Sequence, residues 1–579
     1  MGPKASAVAA GVCAAVLYFV HDGALAQVPP PSPDAGTLLR DVREPATRPP
    51  AQGDAPQLQQ SPESTPPAVS SAQGTMEVRG FRLNGLVTLP NEPIIAQLAP
   101  FIGPDKSMAD LRAAARQVQE TLRNSGLFAA QAFIPKQNIS DQIVEIRVLE
   151  GRLGKVEVNY GDDVKISHRV IDAYKSRLLA GEALNAEHLE GPLFLMSDLR
   201  GVRITSTLQP GDHPGDADLV IAVERGRLYD IEASLDNYGS RYSGVYRGTG
   251  GVIFNNPLRL GDQLDFKVLA SQSHDGKGHL RFGRASYLAP VGPYGTKLGF
   301  AVMGLEYRLG EDVLVGETPV GNANVKSLFA LHPIVRSRDR NLFLQASFEK
   351  RRLEDIKLSD VSRKRLDIYT LGLVGDVRDG LFGGGISNFS LSLAAGQLTI
   401  ESPNSLSFDQ TSARTNGKYN KLSVQAGRFQ TLPYGNFLYL SLQGQLASKN
   451  LDNSEKFGLG GPGAVRAFPV GEASGDDGYV FSWELRRPIK FDKIPGEVVA
   501  FVFGDHGHTK LFHNGFVGDS TFGITQRSMS AIGIGATWAK AGSFALRVTA
   551  AWPGAERSVV ENGGSNSQPR IYAQGSLFF

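Results

Sequence analysis

From about residue 228 to the C-terminus, apolar and polar residues alternate with a period of two. Leu264, Phe266, Val268 and Ala270 share one face, with Gln263, Asp265, Lys267 and Ser271 on the other. Phe389, Leu391, Leu393 and Ala395 alternate with Asn388, Ser390, Ser392 and Ala394. Leu438, Leu440, Leu442 and Leu446 alternate with Tyr439, Ser441, Gln443 and Gln445, and Phe544, Leu546, Val548 and Trp552 with Ala545, Arg547 and Thr549. This spacing predicts half-buried strands. Apolar out and polar in is what a water-filled barrel in lipid requires, and the polar face is small and uncharged in several strands, as lumen walls often are. A soluble sandwich shows the same alternation with the geometry inverted. At about 22 residues per strand plus connection, residues 228–579 hold about sixteen antiparallel strands. Pro290-Val-Gly-Pro293 and Leu432-Pro-Tyr-Gly435 are expected as periplasmic turns, and the charged stretch 349–364 as an external loop.

Upstream of residue 228 the pattern is different. In residues 76–151, Val78, Phe81 and Leu83 mark a strand, while Met108, Leu111, Ala115, Val118 and Leu122 recur at helical spacing up to the stop at Gly126. Two strands follow, in residues 127–135 and 143–149. Residues 152–227 repeat the plan, with Val156 and Val158 in the opening strand, helices in 166–179 and 188–199, and closing strands in 202–208 and 218–223. Each unit reads strand–helix–helix–strand–strand, and the two end alike, at Leu149-Glu-Gly-Arg152 and Val223-Glu-Arg-Gly-Arg227. Residues 45–75 are rich in Pro, Gln, Ser and Ala and bury no core, so they read as an extended linker. Before them, residues 34–44 suit a short helix with Asp34 as N-cap and Leu38 and Leu39 within it.

The N-terminus has the form of a secretory signal. Lys4 precedes the apolar stretch 5–20, and Ala24-Leu25-Ala26 offers a cleavage site, so residues 1–26 are expected to leave and 27–44 to open the mature chain. The apolar stretch is shorter than the ~20 residues of a spanning helix. The only cysteine, Cys13, would leave with the signal. That excludes a disulfide scaffold and a thiolate metal site. The formal net charge of the 579-residue chain is +2, which gives no reason to expect nucleic acid. No other apolar stretch is long enough to span a membrane as a helix, so a secreted chain of this kind is either soluble or a closed barrel.

Two motifs carry the functional reading. Gly460-Gly-Pro-Gly-Ala-Val-Arg-Ala-Phe-Pro469, continuing to Gly471-Glu-Ala-Ser-Gly-Asp476, places Arg466 in a Gly/Pro-rich loop. Phe503-Gly-Asp-His-Gly507 places Asp505 at the end of a later strand. Together with the helix, linker and paired α+β units, they resemble outer-membrane transporters of two-partner secretion: the TpsB family, of haemolysin/haemagglutinin secretion-activation type, in the POTRA-barrel superfamily. Asp236-Asn-Tyr-Gly-Ser240 and Asn255-Asn-Pro-Leu258 resemble that family's first barrel strands. The resemblance implies a transmembrane barrel with two periplasmic POTRA-like domains and a plug helix (Asp34, Leu38, Leu39). It implies an inward loop (Val465, Phe468, Gly471) whose Arg466 pairs with Asp505 of a strand motif (Phe503, Gly507). It also implies that Phe579 ends a C-terminal signal for the barrel assembly machinery. The partner would be a secreted, haemagglutinin/haemolysin-like exoprotein with an N-terminal secretion domain, which the transporter exports, with or without activating it, and without being an enzyme; outer-membrane lipid would surround the barrel, and no cofactor is implied. The superfamily usually has Gly where this chain has Ala467, and a left-handed backbone there would cost roughly 1 kcal/mol.

Other readings have less support. A POTRA-containing assembly factor for outer-membrane barrels shares the Arg/Asp motif but typically carries more POTRA units. A passive porin has no use for them. Gly458-Leu-Gly-Gly-Pro-Gly463 fits G-x-G-x-x-G but lacks a following helix. His506 and His508 read as solvated loop histidines rather than metal ligands, and no G-x-S-x-G elbow is present.

Overall fold

The computed structural model describes residues 33–42, 58–60 and 75–579, except 128, 140, 183, 214, 275, 311–317, 358–359, 517–524, 557 and 559–567. The expected signal segment lies outside the described residues, as does most of the linker.

Sixteen antiparallel strands close into a barrel. They are β1 (Tyr229–Asp236), β2 (Tyr246–Asn255), β3 (Gln263–Gln272), β4 (His279–Val291), β5 (Thr296–Arg308), β6 (Val320–Arg336), β7 (Arg340–Lys357) and β8 (Asp360–Asp379), then β9 (Gly385–Ile400), β10 (Gly417–Thr431), β11 (Phe437–Ala447), β12 (Asp477–Ile489), β13 (Glu497–Lys510), β14 (Gln526–Lys540), β15 (Phe544–Pro553) and β16 (Arg570–Phe578). Outward residues such as Val268, Phe300, Leu328, Leu371 and Ile532 are exposed large apolar side chains, as a lipid-facing wall requires. The sheet closes where β1 pairs with β16, from Glu232 opposite Phe578 to Asp236 opposite Gln574. Phe579 extends this seam: its N–H donates to the Ile231 carbonyl (3.0 Å) and its carbonyl accepts from Ile231 N–H (3.2 Å).

The inner wall departs from the expected polar lining. Leu280, Phe282, Met303, Leu305, Val325 and Leu353 face inward and form one apolar cluster with Leu38 and Leu39 of a helix, Ala35–Val42, inside the lumen. A second departure concerns residues 349–364, expected as an external loop. They belong to the continuous β7–β8 hairpin, where Glu349 pairs with Ile368 and Lys357 with Asp360. Glu349 and Arg351 point inward and are buried. Their charge density reflects a lumenal ion network rather than solvation.

Two α+β units precede the barrel. In the first, the helix Met108–Asn124 starts at a capping box. Ser107 Oγ accepts from Asp110 N–H while Ser107 N–H donates to the Asp110 carboxylate. Leu111, Ala115, Val118 and Leu122 bury against Phe81, Leu83, Val144 and Ile146 of a sheet ordered Gly80–Asn84, Ile143–Leu149, Gln131–Phe133. In the second, the strands Arg152–Tyr160, Asp216–Arg225 and Val202–Pro210 carry the helices His168–Lys175 and Ala186–Ser197. The segment Leu58–Gln60, inside the stretch read as a linker, adds a parallel edge strand beside Val202–Pro210, with Leu58 opposite Ser206.

The second unit is docked on the periplasmic turns. Arg336, at the end of β6, grips Asp198 with two hydrogen bonds (2.7 and 2.9 Å) and lies over the Phe194 ring. Both side chains are 6% exposed. Asn256 Nδ2 donates to the Lys165 carbonyl, and Gly295 sits so close to Leu195 that a Cβ there would lie 2.4 Å from its Cδ2. Asp198→Ala leaves the buried Arg336 guanidinium without its carboxylate, a loss of roughly 3–5 kcal/mol for a buried pair. The expected outcome is a broadened distance distribution between spin labels on the second unit and the barrel, with barrel folding intact. An unchanged distribution would contradict this role for the pair.

Candidate functional site

The connection between β11 and β12, residues 448–476, turns back into the barrel instead of projecting from it. Its fold is set by glycine and by close packing. Gly461 (φ +114) and Gly471 (φ +81) take left-handed conformations. Ala467 is not among the left-handed positions, so the Ala-for-Gly difference carries no backbone strain. Val465, Ala467 and Phe468 are buried with Leu459 against Phe501 and Phe503 of β13. Gly507 permits this approach, since a Cβ there would lie 2.5 Å from Leu459 Cδ1. The G-x-G-x-x-G stretch is part of this loop.

Arg466 stands at the centre. Its backbone N–H and Nε both donate to Asp505 Oδ2 (3.0 and 2.8 Å), and Nη2 donates to Asp505 Oδ1 (2.6 Å). Asp505 lies within β13, some way before its end, and its side chain is fully buried. Nη1 donates to Glu484 of β12, and the guanidinium lies 3.5 Å from the Phe503 ring centroid. Charge-assisted forks of this kind fix orientation as well as energy. Burial works against the arginine's charge, but the hydrogen bonds and attraction from Asp505, with Glu484 beside it, hold its pKa above the ordinary guanidinium value.

Glu484 is the participant that sequence reasoning missed. It also accepts from Arg486 (2.6 and 2.8 Å) and from Arg547 of β15 (2.9 Å), so one carboxylate gathers three arginines. Its only sequence signal was an acidic residue on a strand's polar face, which nothing distinguishes from a solvated lumenal charge. Phe468 is held from the other side, its carbonyl accepting from Tyr572 Oη (2.9 Å). Within the same loop, Glu472 accepts from Arg527 (2.9 Å) and Asp476 from Lys456 (2.6 Å).

The lumenal helix is held by a second set of charges. Asp34 caps it by accepting from Thr37 N–H and Oγ1, both at 2.8 Å. Ala35 N–H donates to Asp355 on the wall. Asn453 of the inward loop donates to Asp34 (2.9 Å), and Lys364 reaches both Asp34 (3.8 Å) and Asp452 (2.8 Å). Burial opposes ionisation of Asp34, yet Lys364 and the hydrogen bonds from Thr37 and Asn453 outweigh it and hold its carboxyl below the ordinary range. Gly36 lies against the loop so closely that a Cβ would meet Ser454 N at 2.9 Å. Nearby, Arg351 bridges Glu349 and Glu455, and Lys421 also pairs with Glu455. His506 and His508, expected in a loop, lie on the outer face of β13 instead, with Nδ1 bonded to Ser530 and Ser528.

A profile of the haemolysin secretion/activation proteins ShlB/FhaC/HecB matches residues 215–515, and a ShlB-type POTRA profile matches residues 76–151. The chain belongs to this family. Members are outer-membrane transporters of two-partner secretion that translocate a partner exoprotein, and this barrel accordingly lies in the outer membrane with its POTRA domains in the periplasm. The heme/hemopexin transporter protein HuxB of Haemophilus influenzae (strain 86-028NP) is 25% identical over 565 residues, covering 96% of both chains. The outer membrane transporter CdiB of Dickeya dadantii (strain 3937) is 23% identical over 490 residues, covering 82% of each. The solved structure of CdiB from Escherichia coli shares the fold, with a TM-score of 0.68 at 19% identity, covering 90% of this chain and 93% of that one.

Arg466→Lys keeps the charge but loses the planar fork and its place over Phe503. We expect secretion of the partner to fall roughly ten-fold while the barrel still assembles, read as partner protein in culture supernatant against heat-modifiable barrel in the membrane. Secretion at the original level would show that charge alone suffices.

Proposed function

We propose that the transporter is closed at rest by the helix Ala35–Val42 and the inward loop together, and that it opens for its exoprotein when the helix leaves. The observation that carries this reading is the shared anchorage: the buried Asp34 and Asp452, with the half-buried Asn453 and Lys364, join helix, loop and wall in one cluster. The partner is read as a large haemagglutinin/haemolysin-like protein whose N-terminal secretion domain docks on the POTRA domains by lending a strand to a sheet edge or lying in a strand–helix groove. It then passes through the lumen in extended form, through the space that the helix leaves. The periplasm supplies no ATP, and folding of the partner outside draws the equilibrium outward. The chain performs no enzymatic step in this reading. The barrel assembly machinery is its partner in biogenesis, engaging the C-terminal strand that ends at Phe579.

Two measurements test the reading. Deletion of the gene should remove one or two large exoproteins from the supernatant and leave the outer-membrane barrel profile intact. A general loss of barrels would instead favour an assembly factor. Deletion of residues 34–42 should raise single-channel conductance in planar bilayers, and unchanged conductance would contradict the plug.

A further inference from the structure

The outer wall of the barrel carries a feature that the secretion path does not use. On β6, β7 and β8 the outward side chains are apolar, apart from His332 toward the periplasmic end, up to a row formed by Leu328, Phe348 and Tyr369, which lie opposite one another on adjacent strands. Phe348 and Tyr369 pack with ring centroids 4.8 Å apart. The next outward row is Lys326, Lys350 and Asp367, and the one beyond it Asn324, Arg352 and Arg365, followed by Asn322, Glu354 and Arg363. These three strands have 17, 18 and 20 residues. A crossing takes only about 9–11. The charged rows, on the side away from the POTRA domains, therefore begin at the level of the outer headgroups and continue above it.

The arrangement is unfavourable as it stands. Lys326 lies directly opposite Lys350, and Arg352 directly opposite Arg365. Like charges facing each other across a strand pair are destabilising. The carboxylates within reach neutralise them only in part. Arg363 has a close partner in Glu354 at 2.7 Å, but Arg365 is 3.5 Å from both Asp367 and Glu401, and Lys350 is 3.9 Å from Asp367. Among the described residues Lys326 and Arg352 have no ion-pair partner, and Arg365 Nε has no hydrogen-bond acceptor. Beside the stripe, Gly283 opposite Gly304 leaves the outer wall bare next to Asn324 and to Arg281, which lies opposite Glu306, in a cleft that these residues help to line. The opposite wall differs. Outward positions at the upper ends of β12, β13 and β14 carry Tyr479, His506, His508, Ser528 and Ser530, and the one lysine there, Lys510, lies opposite a carboxylate, Asp477.

We propose that this stripe binds the phosphorylated sugar headgroup of an anionic glycolipid in the outer leaflet. The phosphates sit between Lys326 and Lys350 and between Arg352 and Arg365, and the acyl chains lie along Leu328, Phe348 and Tyr369. Phosphate supplies the charge that the opposed cations lack and accepts the guanidinium fork. The apolar row directly beneath commits the ligand to a lipid rather than a soluble anion.

The test uses the full mature protein in lipid-free detergent micelles. Bis-phosphorylated lipid A and the same lipid after dephosphorylation are titrated and read by native mass spectrometry. The variant combines Lys326→Gln, Lys350→Gln, Arg352→Gln and Arg365→Gln, with Lys510→Gln on the opposite wall as control and heat-modifiable mobility as the check on folding. The unmodified protein and the control should prefer the phosphorylated lipid by about ten-fold or more, and the fourfold variant should lose that preference while binding the dephosphorylated lipid as before. Equal binding of both lipids by the unmodified protein would overturn the proposal. So would an undiminished preference in the variant, or displacement by inorganic phosphate at the lipid's own concentration, which would mark a site for free anions.

Discussion

A closed sheet leaves no backbone donor or acceptor facing lipid, but closure creates a lumen, and the rest of this structure depends on how that lumen is filled. Sixteen strands enclose more space than their own side chains occupy. The chain supplies two further elements, the inward loop and the short helix. Neither has a core of its own. Each is placed by apolar packing on one sector of wall and by buried charges whose geometry leaves little freedom. The apolar packing is nondirectional, so the charges set the register. For Arg466 that means a fork onto Asp505, a further contact to Glu484 and a ring face beneath the guanidinium.

Buried ion pairs add little net stability, because desolvation offsets most of the attraction. Removing one partner is costly, because it leaves the other charge unpaired in a dry site. That asymmetry suits an element that must be held in one place and then released as a unit. Asp452 shows the coupling most directly. It accepts from Lys364 of the wall and from Ser454 N–H in the loop, while Lys364 also reaches Asp34 of the helix. Movement of the helix therefore disturbs the loop's own anchor. At the periplasmic end, the Asp198–Arg336 pair ties the second α+β unit to the end of β6.

The barrel was legible in the sequence because lipid outside and water inside impose a two-residue period that is sustained from residue 228 onward, whereas upstream it is confined to short strands between helices. The lumen was less legible. Alternation assigns a residue to a face, and it does not say what will cover that face. The inward Leu280, Phe282 and Met303 look like breaks in a polar lining until the helix with Leu38 and Leu39 is set against them. Glu349 and Arg351 sit in a stretch so rich in charge that an external loop was the natural reading. Only strand register turns them inward. Arg466 and Asp505 stood out through the motifs they belong to, whereas Glu484 had no such context, and two of its three arginine partners, Arg466 and Arg547, come from other segments of the chain.

The central claim is that the lumen must be vacated before the exoprotein passes. A reversible lock between helix and loop tests it most directly. Gly36 and Ser454 are close enough for this, since a Cβ at Gly36 would lie 3.0 Å from Ser454 Cβ. A disulfide needs about 3.5–4.5 Å, so the cross-link moves the helix slightly away from the loop, which also relieves the approach to Ser454 N. With Gly36→Cys and Ser454→Cys combined, the account predicts that the oxidised transporter keeps a low conductance and exports no partner, and that reduction restores both. Normal export through the oxidised, cross-linked protein would contradict it.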